Sequence, residues 1–198
     1  MGRLVCAALA CAGLAACGSS EAGFTLTRNP TQYLLRLDEL VTSDFSVYIA
    51  AHSIDSSDIA GSDATRARQL ASDALQSAAT VRYARDANFA TSNGPIDVIS
   101  TVERFASSTG AAHSYGIDVH ALDAFPQAVP LATGTLGDAS HADSVVRTTS
   151  SGFQAVQITV EWRLANVVNI LVVRGRYGGA RLVDALTLAH REATNEIR

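Results

Sequence analysis

Phe153-Gln154-Ala155-Val156-Gln157-Ile158-Thr159-Val160-Glu161-Trp162-Arg163-Leu164 is followed by Ala165-Asn166 and then by Val167-Val168-Asn169-Ile170-Leu171-Val172-Val173-Arg174-Gly175-Arg176. In the first run Val156, Ile158, Val160 and Trp162 alternate with Gln157, Thr159, Glu161 and Arg163. A period of two sends successive side chains to opposite faces of a pleated strand, so this run is a strand with one buried face. From 167 to 173 the second run is nearly all apolar, as a strand covered on both sides must be, and it belongs in the centre of a sheet. Ala165-Asn166 makes the tight turn between them. Residues 143–149, ahead of a turn at Ser150-Ser151-Gly152, add a third strand to the antiparallel meander. Gly178-Gly179 then breaks the chain, and Leu182, Val183, Leu186 and Ala189 mark the apolar side of a closing helix to about residue 195. Arg191 falls in its last turns, where the helix dipole favours a cation.

Working back from this block, Asn93-Gly94-Pro95 is a strong turn, and Ile96, Val98, Ser100 and Val102 alternate behind it as a strand over 96–103. A helix over 109–124 follows, with Ala112, Tyr115, Val119 and Leu122 on one face and Phe125-Pro126 as its stop. Further back, Phe45, Val47 and Ile49 form one apolar face of a half-buried strand. Ser62 or Asp63 caps a helix over 64–79 built on Leu70, Ala71, Ala74, Leu75 and Ala78, and 80–85 is a strand. Strand, helix, strand, strand, helix, three or four strands, helix is an α+β order: a single domain over 24–198, with an antiparallel sheet of six or seven strands and about three helices packed on it. No glycine fingerprint opens an early helix, which excludes a Rossmann-like fold.

The N-terminal end has a different character. Met1-Gly2-Arg3 precedes an apolar run over 4–16, which at ~1.5 Å per residue spans roughly 20 Å, short of the ~30 Å a transmembrane helix must cross. That is the pattern of a secretory signal. At its end Leu14-Ala15-Ala16-Cys17, followed by Gly18-Ser19-Ser20, resembles the processing box of bacterial lipoproteins. The resemblance implies cleavage after Ala16, lipid on Cys17, a tether over 17–23, and a domain held outside the cytoplasm on the cell membrane, or on the outer membrane of a host that has one. Of the three cysteines, Cys6 and Cys11 leave with the leader and Cys17 becomes the acylated terminus. The domain then has neither thiol nor disulfide, and its stability rests on its core.

The final block also carries a looser likeness. Asn166-Val167-Val168, the apolar strand after it, and a helix built on Ala185-Leu186 and Leu188-Ala189 resemble the extracellular sensor domains of actinobacterial receptor kinases and related PsbP-like lipoproteins. This covers about the last third of the chain and implies sensing or scaffolding rather than catalysis.

Chemistry is sparse in the sequence. All fifteen basic residues are arginine and the net charge is −4, which gives no basic stripe for a nucleic-acid partner. His113 and His120 stand seven apart around Asp118, whereas a helical ligand pair needs a spacing of three or four, so solvated helix residues are the better reading. His52, His141 and His190 are isolated. Asp138, His141 and Asp143 are the densest potential ligands, but their spacing matches neither a calcium loop nor a zinc site, and they are expected in a loop before an edge strand. No Gly-x-Ser-x-Gly elbow is present. No catalytic residue, metal or cofactor is assigned.

Val173-Arg174-Gly175-Arg176-Tyr177-Gly178-Gly179 is the unusual stretch, because Arg174 and Arg176 share a strand face with Ile170 and Val172. One account pairs them with Asp184 or Glu161 where the strand leaves the sheet. The other makes Arg174, Arg176 and Tyr177 the rim of an anion or lipid-headgroup pocket, with the two glycines admitting a ligand to the backbone. Trp162 belongs in the core under a helix, or floors a cavity. The sequence thus points to a non-enzymatic surface lipoprotein that binds a small or lipidic ligand or an envelope protein. A hydrolase with a site no motif reveals is the competing class, recognisable by carboxylates, or a Ser, His and carboxylate, meeting in one cleft.

Overall fold

A computed structural model describes residues 24–89 and 91–197. The leader 1–16, Cys17 and the tether 17–23 lie outside the described residues. Seven strands are present: β1 (Phe45–Ile54), β2 (Leu75–Arg85), β3 (Asp97–Phe105), β4 (Ala128–Leu131), β5 (Ala139–Thr148), β6 (Gln154–Leu164) and β7 (Val167–Arg176). They form one sheet in the order β1-β2-β3-β7-β6-β5-β4, every neighbouring pair antiparallel. The apolar run thus occupies the middle, and β5-β6-β7 is the expected meander. Ala165 turns the last hairpin with φ of 52°, in the left-handed region.

Helices cover both faces, in keeping with the α+β class. On one side lie α1 (Ser56–Ala60), α2 (Ala64–Ser72) and α3 (Ser108–Asp123); on the other lie α4 (Leu182–Ile197) and two 3-10 turns, Pro30–Gln32 and Leu37–Glu39. Side-chain oxygens of Asp55, Asp63 and Ser107 accept from the first free N–H groups of α1, α2 and α3, which fixes where each begins. The larger core fills the α4 side, where Trp162, Leu171, Val98 and Val102 meet Tyr33, Leu35, Ala185 and Leu188. Leu70, Phe105, Ala111 and Val168 make a much smaller one on the α3 side. The rest of that side is open.

Several local expectations are overturned. The helix from 64 ends at Ser72; Ala74 takes φ of 57° and residues from Leu75 onward join the sheet. Ala71, Ala74, Leu75 and Ala78 suit a helix face equally well, but hydrogen-bonding partners on both sides outweigh that local preference. In β1 only Phe45 is buried, whereas Val47 and Ile49 are 50% and 42% exposed. This is an edge strand with register shifts on either side of Ile49. His141 and Asp143 lie within β5 rather than in a loop, and β4 takes that edge. On α3 the inward residues are Ala111 and Ser114 while Ala112 is exposed. On α4 Val183 is 57% exposed, and Glu192, Asn195 and Glu196 join Ala185, Leu188 and Ala189 inside.

Those inward polar groups are hydrogen-bonded. The Ser100 hydroxyl donates to Glu192 at 2.8 Å and accepts from the Leu35 N–H at 3.2 Å, while the Asn169 amide donates to Glu196 at 2.5 Å. Asn195 donates to the Leu34 carbonyl and to Glu39, and Arg191 to the Glu39 and Leu40 carbonyls. Helix α4 is thereby tied to the segment that enters the domain.

Candidate functional site

Alternation in β5 and β6 determines what faces α3. If Val156, Ile158, Val160 and Trp162 point to the α4 core, then Gln157, Thr159 and Glu161 must point the other way, and so must Asp143, Val145 and Arg147 of β5. Helix α3 crosses above them and contributes Asp118, Ala121 and Leu122. Between helix and sheet lies a cleft of about 350 Å³, lined also by Phe125 and by Ile170 of β7. Two further clefts continue it. One of about 380 Å³ shares Asp118, Ala121 and Ile170 and runs to Arg66 and Glu103; one of about 440 Å³ shares Val145, Arg147 and Gln157 and runs to Arg82, Asp97 and Arg174. Together they make a groove across the α3 face.

One end of the groove is acidic. Glu103, Asp143 and Glu161 are all but fully buried, and Asp118 faces them from α3. Arg66 donates to Asp118 at 2.5 Å and to the Ser114 hydroxyl at 2.9 Å, and lies 3.9 Å from Glu103. Both oxygens of Asp143, one of Glu161 and the Thr159 hydroxyl have no hydrogen-bond partner among the described residues. Burial pushes the Glu161 carboxyl well above the ordinary carboxylate range, and Asp118 and Glu103 push it the same way. Asp143 is also raised, by burial first, with His141 pulling it back. Burial raises Asp118 to about 6 and Glu103 to about 7, in both cases against the pull of Arg66. Among the described residues no three His, Cys, Asp or Glu side chains are placed to hold a metal ion.

The other end is basic, with Arg82, Arg147 and Arg174 set against one acid, Asp97. Arg82 and Arg174 both bind Asp97, at 2.7 and 3.1 Å, and Arg174 also donates to Gln157 at 2.9 Å. The expected partners of Arg174 are therefore replaced: Asp184 pairs with Arg181, and Glu161 lies at the acidic end. Arg147 stands over the Phe125 ring at 5.5 Å.

The four residues singled out from the sequence do not share a site. Arg174 lines the basic cleft, Arg176 is half-buried opposite Ala155 at the end of β7, Trp162 is buried on the opposite face of the sheet, and Tyr177 is 55% exposed past the end of β7. A Cβ on Gly179 would stand 2.9 Å from the Ser92 carbonyl oxygen, so Gly179 packs against the turn at 92–94, while Gly178 turns the chain with φ of 78° and has open space around it. His113 bonds Asp73 at 2.7 Å, and Asp118, expected in solvent, is turned inward. Replacing Arg174 and Arg176 together by glutamine is expected to change the unfolding free energy by less than about 1 kcal/mol, because Arg174 is part-exposed, Asp97 keeps Arg82, and Arg176 is half-buried with an Nε that has no hydrogen-bond partner to lose. Urea denaturation measures this, and a larger loss would show that the basic end holds the sheet together.

Glu103, Asp118, Asp143 and Glu161 were not recognisable as a group, since they come from four elements and share no spacing. Their one sequence trace is the alternation of Thr159 and Glu161 with apolar residues, which marks a shared face without revealing its cover.

No family model matches the chain, and no curated protein matches it in sequence. Among solved structures it is similar to the extracellular domain of PknH from Mycobacterium tuberculosis, with a TM-score of 0.55 over 81% of this chain and 93% of that one, at 8% identity. At that identity the likeness is one of fold.

Proposed function

We propose that this chain is a lipid-anchored extracytoplasmic protein whose single domain is a non-enzymatic, sensor-like module that binds a small ligand in the groove beneath α3. The observation that carries this reading is the pair Asp143 and Glu161: buried carboxyls with three oxygens between them that lack a hydrogen-bond partner, lining a cleft of ligand size. A buried polar group without a partner costs free energy, and a bound ligand is one way to recover it. The fold likeness to an extracellular domain supports an extracytoplasmic place, as does the resemblance of the C-terminal third to receptor-kinase sensor domains. No described helix is long and apolar enough to cross a membrane, and the anchor in this reading is lipid on Cys17 after removal of 1–16. The basic cleft with Arg174 is the proposed rim for an anionic group or lipid headgroup at the far end.

The test uses full-length protein extracted from its own membranes in mild detergent. Native mass spectrometry is expected to show an adduct on the wild type that Ala121→Phe loses, since Ala121 borders two of the three clefts. The same bare mass for both proteins would overturn the reading. Cys17→Ala is expected to move the protein out of the membrane fraction.

A second reading has one observation in its favour: Asp118, Asp143 and Glu161 do meet in one cleft, as a carboxylate hydrolase would require. Acid–base hydrolysis needs one carboxyl protonated and its partner ionised. Burial raises all three, Asp118 to about 6 and Glu161 well above the ordinary range, and the binding reading is preferred on the oxygens of Asp143 and Glu161 that lack a partner.

A further inference from the structure

The acidic end of the groove is rich in acceptors. Asp143 and Thr159 are directly opposite in the β5–β6 ladder, and Glu161 is the next residue of β6 on the same face. Asp143 and Glu161, each 1% exposed, line the cleft and hold three unpartnered carboxyl oxygens between them, and the Thr159 hydroxyl beside them is unpartnered too. Of the cations nearby, Arg66 serves Asp118, Ser114 and Glu103, Arg147 stands over the Phe125 ring, and His141, 3.5 Å from Asp123, keeps its Nε2 without a hydrogen-bond partner. Acceptors in this arrangement are matched by a group that only donates. An ammonium supplies three N–H donors and no acceptor, and its charge is worth most where water is excluded. An anion would meet two buried carboxyls and Asp118. A bare divalent ion would need three or more ligands around one point, which the described residues do not provide. Just beyond the acids the walls turn apolar at Leu122, Phe125 and Val145, so one end of the occupant is cationic and the remainder is hydrocarbon.

We infer that the cleft beneath α3 binds an aliphatic organic cation, its ammonium donating to Asp143 and Glu161 and its hydrocarbon lying against Leu122, Phe125 and Val145. This rests on the ligand-binding reading of the groove and names the class of ligand.

The test compares three probes of one length, n-hexylamine, hexan-1-ol and hexanoate, by isothermal titration calorimetry on the full-length protein in detergent. The wild type is expected to bind hexylamine at least tenfold more tightly than hexanol and to leave hexanoate unbound. The double variant Asp143→Asn, Glu161→Gln is expected to lose at least tenfold in hexylamine affinity. Amides match the carboxyls in size, and a thermal melt without ligand confirms that the variant folds. Hexylamine binding that the double variant retains would overturn the inference, and so would hexanol or hexanoate binding as well as hexylamine. If no probe binds while the wild-type adduct persists in native mass spectrometry, the cation is wrong and the groove stands. If the adduct is also absent, both fall.

Discussion

Asn166→Ala is expected to lower the unfolding free energy by about 3 kcal/mol, because it strands several buried backbone groups at once. Asn166 is 2% exposed and lies between three parts of the chain. Its side-chain oxygen accepts from the Leu26 N–H at 2.7 Å, and its amide donates to the Leu26 carbonyl at 3.1 Å and the Phe105 carbonyl at 2.9 Å. The Asn166 backbone carbonyl in turn accepts from the Phe105 N–H at 2.9 Å. One turn residue therefore clips the entering segment to the end of β3 and to the β6–β7 hairpin. Alanine keeps the turn and removes the clip. For a domain of this size the loss corresponds to a fall in melting temperature of roughly 10 °C. Asn166→Asp keeps the acceptor for Leu26 but sets a carboxylate against two carbonyl oxygens, and its loss should equal or exceed that of alanine. Melts of both variants check this; losses under about 1 kcal/mol in both would show that Leu26 is held by packing alone.

Stability is expected to fall as pH rises from 5 to 8, the reverse of what ion-paired surface carboxylates produce. Burial raises Glu103 and Glu196 to about 7 and Asp118 to about 6, and pushes Glu161 and Glu192 well above the ordinary range. For an acid whose folded pKa exceeds its unfolded value, the folded state holds more protons between the two values. Stability is then complete below the unfolded pKa and is lost as pH climbs toward the folded one. At ~1.4 kcal/mol per unit, Glu103 alone accounts for about 3 kcal/mol across this window. Urea denaturation at pH 5 and pH 8 reads the slope. Gln reproduces the protonated acid in shape, so Glu103→Gln and Glu196→Gln should each flatten the profile by raising stability at pH 8 toward its value at pH 5. A flat or rising wild-type profile would mean that these carboxyls are ionised in the folded protein.

Both expectations concern groups that the sequence marked as unremarkable. Asn166 was legible as a turn residue, but its bonds join residues 140 positions apart, and no local pattern encodes that distance. Periodicity in Thr159, Glu161 and Glu103 correctly placed them opposite the apolar residues of their strands. It could not say that α3 would cover that face at one end, leaving carboxyls neither solvated nor paired. For α4 the apolar set Leu182, Leu186 and Ala189 located the helix, yet Glu192 and Glu196 turned inward because Ser100 and Asn169 on the facing strands supply donors.

What the sequence determined by itself was therefore the set of elements near its clearest block: the alternation of β6, the apolar β7 at the centre of the sheet, the capped start of α2, the presence of α3, and the α+β order. These depend on side-chain period and on local backbone satisfaction, both properties of neighbouring residues. Tertiary structure alone decided the rest. It gave 75–79 to β2 rather than to a helix, made β4 and not β5 the edge, put Trp162 and Arg174 on opposite faces, and gathered four distant acids beneath α3. The physical reason is common to all of them: a residue's period says which neighbours share its face, while burial and hydrogen bonding depend on what the remainder of the chain lays over that face.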